Sequence, residues 1–252
     1  MLSKVSMFFT VYGVKKLISF IGCGPGSKEF LTLKGYDRIK NADVIIYAGS
    51  TVDHLLTDIS RAEKIFDSSS MTLEDIEKVF SDHKSLKIAR MHSGDTSLYS
   101  AINEEIALAD KNSIAFEVIP GISAYSYFAS QLGIELTSPG ICQSVVLTRL
   151  NGRTPVPENI EKFFGEQPSC AVYLSGCRPY EVLSLLKKYY DKDAILAIGT
   201  HLAREQERIE VKPLHSWHEI NFPPNLTLFL VFRKGSIKSC LYDKNFSHGM
   251  RK

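Results

Sequence analysis

The sequence predicts an α/β protein made of two tandem α/β domains. Three observations carry this expectation. Short apolar runs alternate with amphipathic stretches through the first half, three of those runs end in turns of small residues, and a new strand pattern begins after a turn-rich break at 133–140. With 252 residues, 44% hydrophobic and 23% charged, the chain can bury a substantial core and is neither a disordered nor a fibrous sequence.

The first strand is expected over 17–21, stopped by Gly22-Cys23-Gly24-Pro25-Gly26. A helix over 30–41 follows from the spacing of Leu31, Leu33 and Ile39, and a buried strand from the apolar run 44–47. Residues 73–84 place Leu73, Ile76, Val79 and Phe80 on one helical face. A strand over 86–91 leads into His92-Ser93-Gly94-Asp95, then a helix from Ser97 to about Lys111 and a strand over 114–119. Pro120-Gly121 closes that strand, and Ser123 is placed to cap a helix running to Leu132. Strands alternating with helices in this way imply a largely parallel sheet.

The break at Thr137-Ser138-Pro139-Gly140 sets the expected boundaries: a first domain over 15–136, a second over 137–236 and a polar tail over 237–252. In the second domain strands are expected near 145–147, 171–175, 194–198, 208–211 and 226–232, with a helix near 179–190. Because few helices separate the last strands, the sheet should be mixed and end in a meander. Two such domains leave a cleft between them, a favoured place for a small-molecule site.

A net charge of +2 does not mark a nucleic-acid surface. The five cysteines, Cys23, Cys142, Cys170, Cys177 and Cys240, are odd in number and lack C-x-x-C spacing, so reduced thiols in a cytoplasmic protein are expected, with neither a disulfide framework nor a zinc site. Residues 1–14 have neither the length of a membrane span nor a clear cleavage site and read as an extension.

Taken singly, the motifs are ambiguous. Gly22 to Gly26 allows close backbone approach to a ligand, but Ser27 stands where the dinucleotide fingerprint G-x-G-x-x-G needs its last glycine, and Pro25 removes an amide donor. A tight strand-to-helix turn explains it equally well. Asp95 sits where open α/β sheets place ligands, yet it could simply cap the next helix. His92 has no second ligand at metal spacing and reads as a packed or solvent-facing histidine. Cys23 reads as a small residue packed in its turn. Joint occurrence in order is what raises these turns above their separate readings.

Together, Gly22-Cys23-Gly24-Pro25-Gly26, Leu31-Thr32-Leu33-Lys34, Asp43-Val44-Ile45-Ile46-Tyr47, Gly94-Asp95-Thr96-Ser97-Leu98-Tyr99 and Pro120-Gly121-Ile122-Ser123-Ala124 resemble the tetrapyrrole methylase family, from about Lys16 to Gly235. Within it, Tyr47-Ala48-Gly49-Ser50, Gln143 to Arg149 and Gly152-Arg153-Thr154-Pro155-Val156-Pro157 resemble the subgroup acting at carbon 11 of precorrin-4 or cobalt-precorrin-4.

The resemblance implies a homodimeric S-adenosylmethionine-dependent methyltransferase of cobalamin (corrin) biosynthesis, with the cofactor folded into the interdomain cleft and no contact with nucleic acid or membrane. It implies cofactor contacts at Gly94, Asp95, Leu98, Tyr99, Ser123 and Ala124, and from the second domain at Tyr173, Leu174 and Ser175. Gly24, Pro25 and Gly26 are expected towards the tetrapyrrole, and Arg149 and Arg153 towards its carboxylates, which guanidinium groups bind bidentately. No catalytic side chain is assigned, since the methyl group arrives activated. The chain departs from the family at Ser27-Lys28, at Thr96 and across 198–205. The rival readings are methylation at another position or substrate, and a family member that binds tetrapyrrole or cofactor without catalysis.

Overall fold

The computed structural model describes residues 17–152 and 154–235. The expectations for residues 1–14, the tail over 237–252, Cys240 and Arg153 lie outside them. The chain divides into two compact units between Ala124 and Tyr125. This is earlier than the expected break after residue 136. The reason lies in the helix Ala124–Gln131: its Tyr127 donates a hydrogen bond to Glu207, and its Phe128 ring lies against Gly199, so nearly all of it is built into the second unit.

The first unit is a five-stranded sheet, entirely parallel. Its strands are β1 (Ile18–Gly22), β2 (Val44–Tyr47), β3 (Lys64–Asp67), β4 (Ile88–His92) and β5 (Phe116–Ile119), in the order β3-β2-β4-β1-β5. Central β1, β2 and β4 are buried on both faces, which explains why they are mostly apolar; the polar Ser19, Arg90 and His92 on them are buried as well. Edge strand β3 was not foreseen: most of it is exposed, so it lacks the apolar run that reveals a strand.

Helices cover the sheet, and short polar residues start two of them. Thr32 accepts the amide of Gly35 to begin α1 (Leu33–Lys40), and Thr72 with Asp75 forms a reciprocal capping box at α2 (Leu73–Asp82). The next helix, α3 (Ile102–Lys111), begins five residues later than Ser97, where the sequence pattern placed it. Tyr99 and Ala101 take left-handed φ values of 53° and 54°, which break the helical path. Residues of α2 and α3, among them Phe80 and Leu108, pack over Ile18, Phe20, Val44 and Ile88 to form one core.

The second unit carries α4 (Ala124–Gln131), β6 (Val145–Arg149), α5 (Ile160–Phe164), β7 (Ser169–Tyr173), α6 (Pro179–Tyr189), β8 (Ile195–Thr200), β9 (Arg208–Pro213) and β10 (Thr227–Phe232). Its sheet has the order β6-β7-β10-β8-β9, with β6 and β7 parallel and the remaining pairs antiparallel. It is mixed, as expected, but does not end in a meander: β10 passes over its hairpin neighbours and inserts between β7 and β8. Burial explains the order. The run Thr-Leu-Phe-Leu-Val-Phe of β10 is nearly all buried and needs cover on both faces, whereas β9 is half-exposed with Arg208, Glu210 and Lys212 and suits an edge.

Phe229 on β10 is fully buried in a core with Trp217, Phe164 and Val172. Phe229→Ala is expected to cost about 3–5 kcal/mol through lost burial and the cavity left behind. Urea unfolding followed by the fluorescence of Trp217 should show this as a fall in the midpoint denaturant concentration.

Candidate functional site

The adjacent strands β4, β1 and β5 deliver three turns to one end of the first sheet, their C-terminal end. Gly22 closes β1, Gly94 lies two residues beyond β4, and Gly121 lies two residues beyond β5. Here backbone meets backbone. A β-carbon on Gly22 would lie 2.5 Å from the nitrogen of Gly121, and one on Gly121 would lie 2.1 Å from the carbonyl oxygen of Gly94. No residue but glycine fits at either position without displacing main chain.

Hydrogen bonds fix the approach. Gly24 and Gly94 exchange both of theirs, at 3.1 and 2.8 Å, and the amide of Cys23 donates to the carbonyl of His92 at 2.8 Å. The first glycine loop is therefore one backbone unit with the Gly-Asp turn, and Gly24, Pro25 and Gly26 are buried within it. The reading of Cys23 as a packed small residue holds: burial pushes its thiol up to about 12, so it stays protonated and unreactive.

Asp95 completes the junction. One carboxylate oxygen accepts the amide of Gly121 at 2.9 Å, and the other accepts the amide of Ser97 at 2.8 Å together with its hydroxyl. It caps no helix, because α3 begins at Ile102; instead it ties the turn after β4 to the turn after β5. Burial alone would raise its pKa, but the bonds from Ser97 and Gly121 outweigh that and hold it below the ordinary carboxylate value.

The other residues expected at the cofactor surround this junction or lie in the second unit. Leu98 is half-buried, and its amide closes the turn on the carbonyl of Asp95 at 3.2 Å; Tyr99 is exposed. Ser123 and Ala124 are half-buried where α4 begins. In the second unit Tyr173 ends β7, and its hydroxyl accepts the amide of Tyr125 at 3.1 Å. Leu174 ends the strand by turning left-handed, with φ 50°, and is 64% exposed. Ser175 is fully buried, its hydroxyl accepting the amide of Leu150 and donating to the carbonyl of Tyr173.

Arg149 does not project freely. Its guanidinium donates to the carbonyls of Thr154 and Pro155 at 3.0 and 3.1 Å, so it braces the loop that follows β6. Arg178, which no sequence pattern singled out, donates to the carbonyl of Asn151 in the same loop. Another residue missed by sequence reasoning is Glu207, which accepts the Tyr127 hydroxyl at 2.7 Å and the Ala203 amide at 2.6 Å. It holds the turn after β8, the stretch that departs from the family pattern. Asn151 and Tyr127 lie far from Arg178 and Glu207 in sequence, so spacing carried no signal.

The sequence matches the family Tetrapyrrole (Corrin/Porphyrin) Methylases over residues 17–216. It is 34% identical to a cobalt-precorrin-4 C(11)-methyltransferase of Methanocaldococcus jannaschii, across 93% of this chain and 96% of that one. It is 36% identical to a precorrin-4 C(11)-methyltransferase of a Sinorhizobium species, across 76% and 78%. Among solved structures, cobalt precorrin-4 methyltransferase CbiF, a cobalamin biosynthetic enzyme, superposes with a TM-score of 0.78 at 25% identity, covering 85% of this chain and 94% of that one. Uroporphyrin-III C-methyltransferase of Thermus thermophilus, solved with S-adenosylhomocysteine, shares the fold with a TM-score of 0.69 at 21% identity, across 86% and 92%.

Two outcomes test this geometry. Gly121→Ala should destabilise the protein by about 2–3 kcal/mol, because the new methyl group forces main chain apart; chemical denaturation reads it directly. Asp95→Asn should lower the melting temperature at pH 7. Since the folded pKa of Asp95 lies below its ordinary value of 3.8, its stabilisation is complete above 3.8 and is lost as pH falls through the folded value. The gap between wild type and Asp95→Asn should therefore close below about pH 4 in melts followed by circular dichroism.

Proposed function

Because the chain belongs to the tetrapyrrole (corrin/porphyrin) methylase family, we propose that it transfers a methyl group from S-adenosylmethionine to carbon 11 of precorrin-4 or its cobalt complex in cobalamin biosynthesis. The observation that carries this reading is the match, along nearly the whole of both chains, to a protein named for that reaction. The Tyr47-Ala48-Gly49-Ser50 and Gly152 to Pro157 motifs support the same substrate.

The first unit suits a methyl donor with an adenosine and an amino-acid end. Gly94, at φ 66°, has nothing within 4 Å of where a β-carbon would stand, so its turn leaves open space beside the buried junction. We assign Gly94, Asp95, Leu98, Tyr99, Ser123 and Ala124 to the donor, together with Tyr173, Leu174 and Ser175, and Gly24, Pro25 and Gly26 to the tetrapyrrole. Arg149 and Arg153 are the proposed carboxylate contacts; Arg149 also donates to the carbonyls of Thr154 and Pro155.

S-adenosylmethionine supplies an electrophilic methyl: the ring carbon forms a bond to it as the sulfur–methyl bond breaks, and those electrons neutralise the sulfonium. The work left to the protein is alignment and exclusion of water. The backbone junction at Gly22, Gly94 and Gly121 provides alignment, since it cannot slide without breaking several hydrogen bonds at once. We further propose a cytoplasmic homodimer. Among the described residues no helix is long and apolar enough to cross a membrane.

Incubation with methyl-labelled S-adenosylmethionine and precorrin-4, with and without cobalt, should give label at carbon 11 by mass spectrometry and NMR. Binding of both ligands without transfer would overturn the catalytic assignment. Arg153→Ala should raise KM for the tetrapyrrole about tenfold while leaving KM for the methyl donor unchanged.

A further inference from the structure

The end of β3 does more than close an edge of the first sheet. Most of this strand is exposed and adds little to the core, yet its parallel register with β2 sets Asp67 opposite Tyr47. The turn Tyr47-Ala48-Gly49-Ser50, which leaves β2, is therefore flanked by the residues that leave β3. Both lie at the C-terminal end of the sheet, where open parallel sheets hold their ligands. Tyr47 also pairs with Met91 of β4, just before the Gly-Asp turn.

Two side chains from β3 hold this turn. The carboxylate of Asp67 accepts the amide of Gly49 at 3.0 Å and that of Ser69 at 2.8 Å, and the bonds from Ser69 and Gly49 keep it below the ordinary carboxylate pKa. A β-carbon on Gly49 would lie 2.2 Å from the same carboxylate and displace it. The hydroxyl of Ser68 lies 3.1 Å from the carbonyl oxygen of Tyr47 and 3.0 Å from Nη1 of Arg90. Because arginine can only donate, the hydroxyl accepts from Arg90 and gives its own proton to Tyr47. Arg90 is buried and held bidentately by buried Glu105 of α3, both contacts at 2.7 Å, so its aim at Ser68 is fixed. Within the turn, the amides of Thr51 and Val52 close on the carbonyl of Ala48 at 2.8 and 2.7 Å. Gly49 and Ser50 remain exposed at its tip.

A buried ion pair stabilises a fold no better than apolar packing would, and an exposed aspartate on an edge strand adds little to the core. What Arg90–Glu105 and Asp67 share is the turn after β2. We propose that Asp67 and Ser68, the latter set by the Arg90–Glu105 pair, are positioning residues that fix the Tyr47–Ser50 turn in the shape that receives the tetrapyrrole. They act through the main chain of Gly49 and Tyr47. A carboxylate repels the carboxylates of a corrin precursor, so Asp67 is no ligand for them. This inference rests on the assignment of precorrin-4 or its cobalt complex as substrate.

The test measures methyl transfer to whichever of those two tetrapyrroles the wild type methylates, alongside S-adenosylhomocysteine binding by calorimetry, in Asp67→Ala, Asp67→Asn and Ser68→Ala. Asp67→Ala should raise KM for the tetrapyrrole about tenfold, the loss of roughly one charge-assisted hydrogen bond, with S-adenosylhomocysteine affinity unchanged. Asp67→Asn, which keeps an acceptor oxygen for the two amides, should restore most of that KM, and Ser68→Ala should raise it several-fold. An unchanged tetrapyrrole KM in a folded Asp67→Ala protein, or a parallel loss of S-adenosylhomocysteine binding, would overturn the inference alone. So would an Asp67→Asn protein as impaired as Asp67→Ala, since charge rather than the hydrogen bond would then be at work. A wild type that methylates neither tetrapyrrole would overturn it together with the reading it rests on. Should Asp67→Ala not fold, Ser68→Ala and its rescue by Ser68→Thr carry the comparison, and an unchanged KM in Ser68→Ala overturns the inference.

Discussion

The contact on which the first unit turns is the approach of three peptide backbones at Gly22, Gly94 and Gly121, close enough that one β-carbon would lie 2.1 Å from a carbonyl oxygen. Everything at that end of the sheet follows from it. The turns after β1, β4 and β5 can share hydrogen bonds because no side chain separates them, and Asp95 can reach the amide of Gly121 because the two turns are already in contact. The price is paid in chain entropy at each glycine. What it secures is a rigid surface of main-chain groups, well suited to a reaction in which alignment matters more than any single side chain.

Much of this was legible in the sequence, and the limits have physical causes. β1, β2 and β4 announced themselves as mostly apolar stretches because a parallel strand buried on both faces needs apolar residues on both, and Arg90 and His92 of β4 are buried exceptions. β3 escaped because an exposed edge strand obeys no such rule. The start of α3 was misplaced because nothing in Ser97 to Ala101 forbids a helix locally; tertiary contacts impose the left-handed turns there. The missing meander has a similar origin: sequence shows that β9 and β10 are strands, but only the need to bury β10 on both faces sets their order.

Within the site, sequence found the turns and missed their bracing. Gly94, Asp95 and Gly121 lie in motifs that neighbour one another along the chain, so their order could be read. Arg178 on Asn151 and Glu207 on Tyr127 join residues with no sequence relation. Arg149 shows the difference most clearly. Its place in a motif makes it a proposed carboxylate ligand, and the structure adds what sequence could not show, hydrogen bonds to the carbonyls of Thr154 and Pro155 that tie it to its loop. Residue type suggests chemistry; only the partner says whether that chemistry is already engaged.

The place of β10 bears on how the protein is made. Synthesis releases β6 and β7 as one pair and β8 and β9 as another, and neither pair touches the other through backbone hydrogen bonds until Thr227–Phe232 arrives to join them. For that interval the nascent second sheet carries two open inner edges, the kind of surface that invites pairing with a foreign strand. The first sheet, complete by Ile119, has no such wait. A ribosome that stalls after β9 would therefore leave a finished first unit tethered to an unclosed second one, a product that quality-control proteases and chaperones would meet as half-folded.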